Sequence, residues 1–313
     1  MANSPSSSAF PDPALLEAVA TELGVDPSFV EKDWHATQAI AAVAGVVQNG
    51  LRPVFSGGTS LSKGYGLIRR FSEDLDFKLL MPEAGIDRSE RRRYRKAVIE
   101  TLRAGGGRTL RDEDILVGNE SRFFQCRIGY PTNFDPASAL RPEIRLEMTL
   151  LRPALPPEEQ PLRSLVAAAR KQAAEVPLAA CVAPAETAAD KLSALTWRVS
   201  SRQRGDANDD PTLVRHLHDL AALEAHAAGH SRFAELSRRA LDSDTARAGQ
   251  MSGGLGTTPA ARVAAALDIL STDPEYGDEY ERFVAAMSYG TEAETPKFRD
   301  AVQCVRRIAR LLD

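Results

Sequence analysis

Polar and apolar residues alternate through 74–80, Asp-Leu-Asp-Phe-Lys-Leu-Leu, and again through 143–148, Glu-Ile-Arg-Leu-Glu-Met. A period of two belongs to a strand with one buried face, so both segments are predicted strands, with Leu75 and Phe77 turned to the core. "SRFFQCRIGYP" reads as a further strand, and "RPVFSGG" as a short one that runs into a turn. Helices surround them. The first is predicted from Asp12-Pro13 to Gly24 and the second from Asp26-Pro27 to Asn49-Gly50; each opens on an Asp N-cap with Pro at the first helical position. "TSLSKGYGLI" is a helix weakened by Gly64 and Gly66. Asp87 caps a basic helix, with Glu90 three residues on in the capping-box position, and that helix stops at "AGGG". A proline-rich link, "RPALPPEEQP", closes this half. Everything beyond reads as helical and alanine-rich, broken by a polar loop at 200–211 and a Gly-rich one at 248–258. The expected fold is α/β (α+β): a tail over 1–12, a domain with a small mixed sheet over 13–155, and an all-helical domain over 162–313.

Composition narrows the class. With 313 residues, 43% hydrophobic and 26% charged, the chain can bury one large or two ordinary cores. Its longest apolar run, "AIAAVAGVV", is about half a membrane span. The N-terminus lacks the basic and apolar regions of a secretory signal. Cys126, Cys181 and Cys304 stand far apart with no CxxC pair, which argues against a disulfide framework or a zinc site and for a reducing cytoplasm. The net charge of −4 gives no overall pull toward nucleic acid. Arginine outnumbers lysine 32 to seven, with clusters at Arg91, Arg92, Arg93 and Arg95, at Arg202 and Arg204, and at Arg306, Arg307 and Arg310. Solvated helix faces are the plain reading of each cluster. Four of the seven lysines, Lys32, Lys63, Lys78 and Lys191, lie in the stretches that carry the chemistry.

That chemistry centres on "SGGTSLSKGYGLIRRFSEDLDF", residues 56–77. In a strand, Asp74 and Asp76 project from one face. Two neighbouring carboxylates repel unless a cation sits between them, and hard oxygen donors in this number suit Mg²⁺ that keeps waters and takes further ligands from phosphates. Upstream, Gly57 and Gly58 end a strand and open a helix, where backbone N–H groups can approach an anion; Thr59 and Ser60 add hydroxyls. A phosphate cradle beside a metal site is what phosphoryl or nucleotidyl transfer requires. Glu147, on a strand expected beside the Asp strand, is the first choice for a third carboxylate and Glu143 the second. A glycine hairpin beside two solvated aspartates is the bland alternative; the order of glycines, helix and alternating acids weighs against it.

The same order is the signature of the nucleotidyltransferase (polymerase-beta-like) superfamily, and "FSGGTSLSKGYGLIRRFSEDLDF" closely resembles its AbiEii/AbiGii branch, which includes the MenT-type toxins of type IV toxin–antitoxin systems. "FVEKDWHATQAI", "ETAADKLSALTWR" and "RHLHDLAAL" resemble three further stretches of that branch, so the likeness runs from about residue 10 to 225. It implies a nucleotidyltransferase core, an enzyme that uses an NTP and Mg²⁺, and transfer onto RNA, with the tRNA 3′ end as acceptor. It also implies arrest of translation and a separately encoded antitoxin of winged-helix type. By the same resemblance Gly58, Thr59 and Ser60 hold the phosphates, with Ser72 near them. Asp74 and Asp76 bind the metals, Lys191 reaches the triphosphate, and Asp219 acts as base or orienting group. Lys63 is a further phosphate contact.

Each assignment has a plainer counterpart. Lys191 and Arg198 share a helical face and read equally as solvated. Arg215 and Asp219, at i and i+4, read as an intrahelical ion pair. His216 and His218 point to different faces and are assigned no metal. Lys32 and Asp33 serve to pack the N-terminal helix, and Arg91 to Arg95 to steer a tRNA backbone. Two other functions compete: nucleotidyl transfer to a small molecule, and binding of nucleotide or partner without catalysis. The intact Asp74/Asp76 pair speaks against the latter.

Overall fold

The structure is a computed structural model and describes residues 10–207, 209–248 and 258–312. Most of the expected tail and most of the Gly-rich loop at 248–258 lie outside the described residues. The chain forms two compact units: residues 1–66 with 71–182, and residues 67–70 with 183–313.

In the first unit, helix α1 (Pro13–Leu23) starts where the Asp12 side chain accepts the Ala14 N–H and stops at Gly24, whose φ of 68° only glycine adopts without strain. Helix α2 (Pro27–Ala44) uses the same device at Asp26. It ends earlier than expected. Asn49 and Gly50 have φ values of 52° and 76°, and Gln48 and Leu51 exchange backbone hydrogen bonds across them. Asn-Gly with both residues at positive φ is a tight hairpin turn leading into β1 (Arg52–Ser56), not a helix end.

Helix α3 (Gly57–Lys63) and strand β2 (Asp74–Leu80) follow. Helix α4 (Arg88–Arg103) carries the complete Asp87/Glu90 capping box. Then come β3 (Ile115–Gly118), β4 (Phe123–Ile128), β5 (Ile144–Thr149), β6 (Glu158–Leu162), α5 (Leu165–Ala169) and β7 (Val176–Cys181). The seven strands make one mixed sheet in the order β3-β4-β5-β2-β1-β7-β6, with β2–β5 and β1–β7 parallel and the other neighbours antiparallel. The sheet therefore continues past the proline-rich link, and the first unit ends at Val182, not near residue 155. Strands β6 and β7 were hidden because neither alternates: β6 contains Pro161 at a register shift, and β7 has three consecutive buried residues, Ala179–Cys181.

One face of the sheet carries the core. Leu75, Phe77 and Leu79 pack with Ile144, Leu146, Met148 and Phe124 beneath α2 and α4, which contribute Ile40, Val43, Tyr94 and Val98. Burying an alternating strand face on this scale leaves its polar face, Asp74, Asp76 and Lys78, turned the other way.

The middle of α2 adds an aromatic group. His35, 2% exposed, lies within 5.0 Å of Phe10, 4.9 Å of Trp34 and 4.7 Å of Tyr130, measured between ring centroids. Burial pushes its pKa down from 6.5 to about 4. The unfolded imidazole gains a proton near pH 6.5 while the folded one resists until about 4. Stability is therefore full above pH 6.5 and is lost as pH falls toward 4, by on the order of 2–3 kcal/mol. Urea unfolding at pH 7 and at pH 4.5 measures the loss, which should shrink in His35→Phe.

The second unit is helical: α6 (Pro184–Ser201), α7 (Arg215–Gly229), α8 (Phe233–Ala248), α9 (Pro259–Thr272), α10 (Glu275–Met287) and α11 (Phe298–Ala309). Two of the arginine clusters are structural here. Arg202 makes a two-pronged pair with Glu279 at 2.7 Å each. Arg204 bonds Asp273 and Glu279 and sits over the Tyr276 ring. Arg307 pairs with Glu224 on α7. Among the described residues no helix is long and apolar enough to cross a membrane.

Candidate active site

Strand β1 delivers the chain to the glycine turn and β2 brings the acids back beside it. Their antiparallel register sets Ser56 opposite Asp76, so the turn and the second acid are neighbours by construction. Gly57 has φ +73°, and a Cβ there would lie 2.0 Å from Asp76 Oδ2. Both facts demand glycine: the backbone is left-handed, and the space a methyl would fill holds a carboxylate oxygen. Thr59 Oγ1 donates to the Asp74 carbonyl at 2.6 Å, which ties the head of α3 to the start of β2. Thr59 and Ser60 are both buried. The Thr59 hydroxyl is thus spent on the backbone, and what the turn offers an anion is chiefly its N–H groups.

The parallel register of β2 and β5 places Glu147 opposite Asp76 and Arg145 opposite Asp74. Glu143 lies one residue before β5 and Ser72 two residues before β2. Among the described residues no three carboxylate, His or Cys side chains converge as a ready-made metal cage, so Asp74, Asp76 and Glu147 share a face without closing a coordination sphere. A donor set of two or three carboxylates on one open face still fits a hard cation that draws its other ligands from water and phosphate.

Further charges surround Asp74. Arg141 Nη1 donates to Asp74 Oδ1 at 2.9 Å, and the Arg141 backbone N–H donates to Glu73 Oε1 at 2.6 Å. Lys32 Nζ reaches both Glu73 Oε1, at 2.6 Å, and the Arg141 carbonyl, at 2.8 Å. Burial lowers the pKa of Lys32 despite Glu73 beside it. Lys63 donates to Asp33 Oδ1 at 2.6 Å and to the Arg163 carbonyl at 3.2 Å, and Asp33 Oδ2 accepts the Leu165 N–H. Lys63 is thereby tied to α2. Glu31 accepts from Asn133 and Phe134. The Glu31-Lys32-Asp33 segment thus holds three separate pieces of the unit in place. On α4, Arg91 donates to the Ile86 carbonyl and Arg95 to Ser121, while Arg92 and Arg93 are exposed.

Lys191 and Asp219 belong to the second unit. Asp219 is fully buried. It accepts from Arg70 Nε at 2.7 Å and Arg70 Nη2 at 2.6 Å, and Lys191 Nζ stands 2.6 Å from its Oδ2. Burial by itself would raise the Asp219 pKa; Arg70 and then Lys191 overcome that and hold it well below the usual carboxylate range. A carboxylate so placed orients its cations and is a poor proton acceptor. Arg215 pairs with Asp210, not with Asp219 one helical turn on. Arg70 was not singled out from the sequence: its partner lies 149 residues away, and no local pattern marks it.

The family model for the nucleotidyl transferase AbiEii toxin of type IV toxin–antitoxin systems matches residues 41–304. Among solved structures the chain is similar to MenT4, a nucleotidyltransferase toxin from Mycobacterium tuberculosis H37Rv. That match has 21% identity and a TM-score of 0.54, and covers 94% of this chain and 98% of that one. No curated protein sequence matches it.

Proposed function

The chain belongs to the AbiEii family of nucleotidyltransferase toxins of type IV toxin–antitoxin systems, and from that premise we propose that it transfers nucleotides from an NTP, with Mg²⁺, onto the 3′ acceptor end of tRNA. Membership already implies a nucleotide substrate and an antitoxin partner. The finer reading adds that transfer takes place in the cytoplasm, blocks translation, and is held in check by a winged-helix antitoxin encoded nearby.

The observation that carries this reading is the fit of Gly57 against Asp76: a turn that admits no side chain lies against one of two acids on the same strand face. Asp74 and Asp76, with Glu147 in register, would hold the metal. When bound, Mg²⁺ neutralises triphosphate charge as it builds at the α-phosphorus. The N–H groups of Gly57 and Gly58 face the phosphates, and Thr59 fixes the turn to β2. Lys191 contacts the triphosphate, and Asp219, which also accepts from Arg70, holds the ammonium in place. Arg92 and Arg93 on α4 are available to RNA phosphates.

Incubation of the protein with each labelled NTP, Mg²⁺ and total tRNA tests the reading. Label should appear on tRNA with the intact chain and not with Asp76→Ala. Label on a small acceptor instead, or no transfer from any NTP, overturns it.

Gly57→Ala gives a narrower expectation. The added methyl must displace the Asp76 carboxylate and force an L-residue to φ +73°. Stability should fall by about 1–3 kcal/mol and the transfer rate by roughly 100-fold or more, as a misplacement of about 1 Å costs at a reacting centre. Urea unfolding and single-turnover kinetics read the two effects.

A further inference from the structure

An arginine already occupies the acid that the metal requires. Arg141 Nη1 donates to Asp74 Oδ1 at 2.9 Å, and both groups are partly exposed, at 39% and 30% of the side chain. The backbone of Arg141, by contrast, is pinned at both polar groups. Its N–H goes to Glu73 Oε1 and its carbonyl accepts from Lys32 Nζ. Lys32 and Glu73 are themselves joined at 2.6 Å, with side chains only 6% and 13% exposed. Glu73 is the residue before Asp74, so one buried ion pair fixes both the acid and the backbone of the arginine beside it. The guanidinium itself lies in the field of Glu73 and Glu143 as well as Asp74, and Lys32 opposes it; its one direct side-chain hydrogen bond among those seen is to Asp74. The bonds to Lys32 and Glu73 fix the backbone of Arg141 and leave its part-exposed side chain held by Asp74.

Positive charge beside a cation site weakens cation binding, and removing it strengthens binding. A guanidinium seated on one of two neighbouring carboxylates also relieves their repulsion while no cation is present.

We propose that Arg141 holds the place of the cation on Asp74 and leaves that carboxylate when a divalent ion binds, so that it sets the affinity of the site for free metal. The inference rests on the reading of Asp74 and Asp76 as metal ligands. The swing needs no movement of the loop before β5, because the Lys32–Glu73 pair keeps the backbone where it is.

Free Mn²⁺ is the probe, titrated without nucleotide and followed by electron paramagnetic resonance on the full chain. Arg141→Met should bind Mn²⁺ roughly tenfold more tightly than the unaltered chain, and Arg141→Lys should return the affinity toward the unaltered value. Equal or weaker binding in Arg141→Met overturns the proposal and leaves the metal reading standing. Absence of Mn²⁺ binding in the unaltered chain, in Arg141→Met and with NTP added removes both.

A second measurement uses the unaltered chain and does not depend on a variant that folds. Phenylglyoxal modification of Arg141, mapped by mass spectrometry, should accelerate several-fold when saturating Mg²⁺ is added. An unchanged rate at Arg141, with the metal bound, also overturns the proposal. A purely packing role for Arg141 would move neither the Mn²⁺ affinity upward nor the modification rate.

Discussion

Asp76→Asn is expected to lower nucleotide transfer by about three orders of magnitude with little change in stability. Asp76 lies on the polar face of β2 between β1 and β5, opposite Ser56 on one side and Glu147 on the other. Asparagine keeps the shape and the strand pairing. What it removes is one of the two negative charges that give the face its use. Loss of carboxylate repulsion offsets part of any lost contact, so the unfolding free energy should stay within about 1 kcal/mol of the original. Single-turnover transfer from labelled NTP, with urea unfolding alongside, measures both. A variant that keeps more than a tenth of the rate would show that the chemistry does not need this acid.

The second large effect concerns stability. Arg70 and Asp219 are 3% and 0% exposed and meet through two hydrogen bonds. Arg70→Met should therefore destabilise the protein by about 2–4 kcal/mol, because a buried carboxylate loses two charge-assisted hydrogen bonds and keeps only Lys191 as counter-charge. Arg70→Met combined with Asp219→Asn should cost less than the sum of the single replacements, since the double change strands neither the carboxylate nor the guanidinium and leaves only Lys191 to compensate. Urea unfolding of the two single variants and the double variant yields the coupling directly; additive costs would mean the pair is not acting as a unit. The pH dependence has a definite sign. Asp219 is held well below its ordinary 3.8, so its contribution is complete above about pH 4 and disappears only as pH falls through the lowered folded value. Near-neutral pH changes should leave the pair untouched.

The contrast between Asp76 and Arg70 shows what could be read from the chain and why. Asp74 and Asp76 declare themselves because strand periodicity is local: residues two apart share a face whatever the rest of the chain does. The glycines before them are legible for the same reason, since a left-handed turn leaves its mark in residue type. The capping devices at Asp12, Asp26 and Asp87 are equally local. Arg70 and Arg141 do not declare themselves. Their partners are 149 and 67 residues away, and an arginine that meets a distant carboxylate looks in sequence like any surface arginine. Lys63 shows the same limit from the other side. Its position after the glycine turn suggested a phosphate, but Asp33, 30 residues upstream, engages it. Asn49-Gly50 fits a helix end in sequence and is a hairpin turn in the fold, a distinction that depends on what lies across it. Strands β6 and β7 escaped because a strand with a register shift or a continuous apolar run has no period to detect.

One consequence of Arg70 concerns the order of synthesis. Residues 67–70 belong to the second unit although the chain on either side of them belongs to the first. On the ribosome, Arg70 emerges 149 residues before Asp219, at a translation rate of about 5–20 residues per second. For roughly 7–30 s the nascent polypeptide holds a cationic side chain destined for burial before the anion that receives it is made. Maturation of the second unit thus waits on the synthesis of α7, and a chain cut short before Asp219 is one in which that arginine never finds its counter-ion.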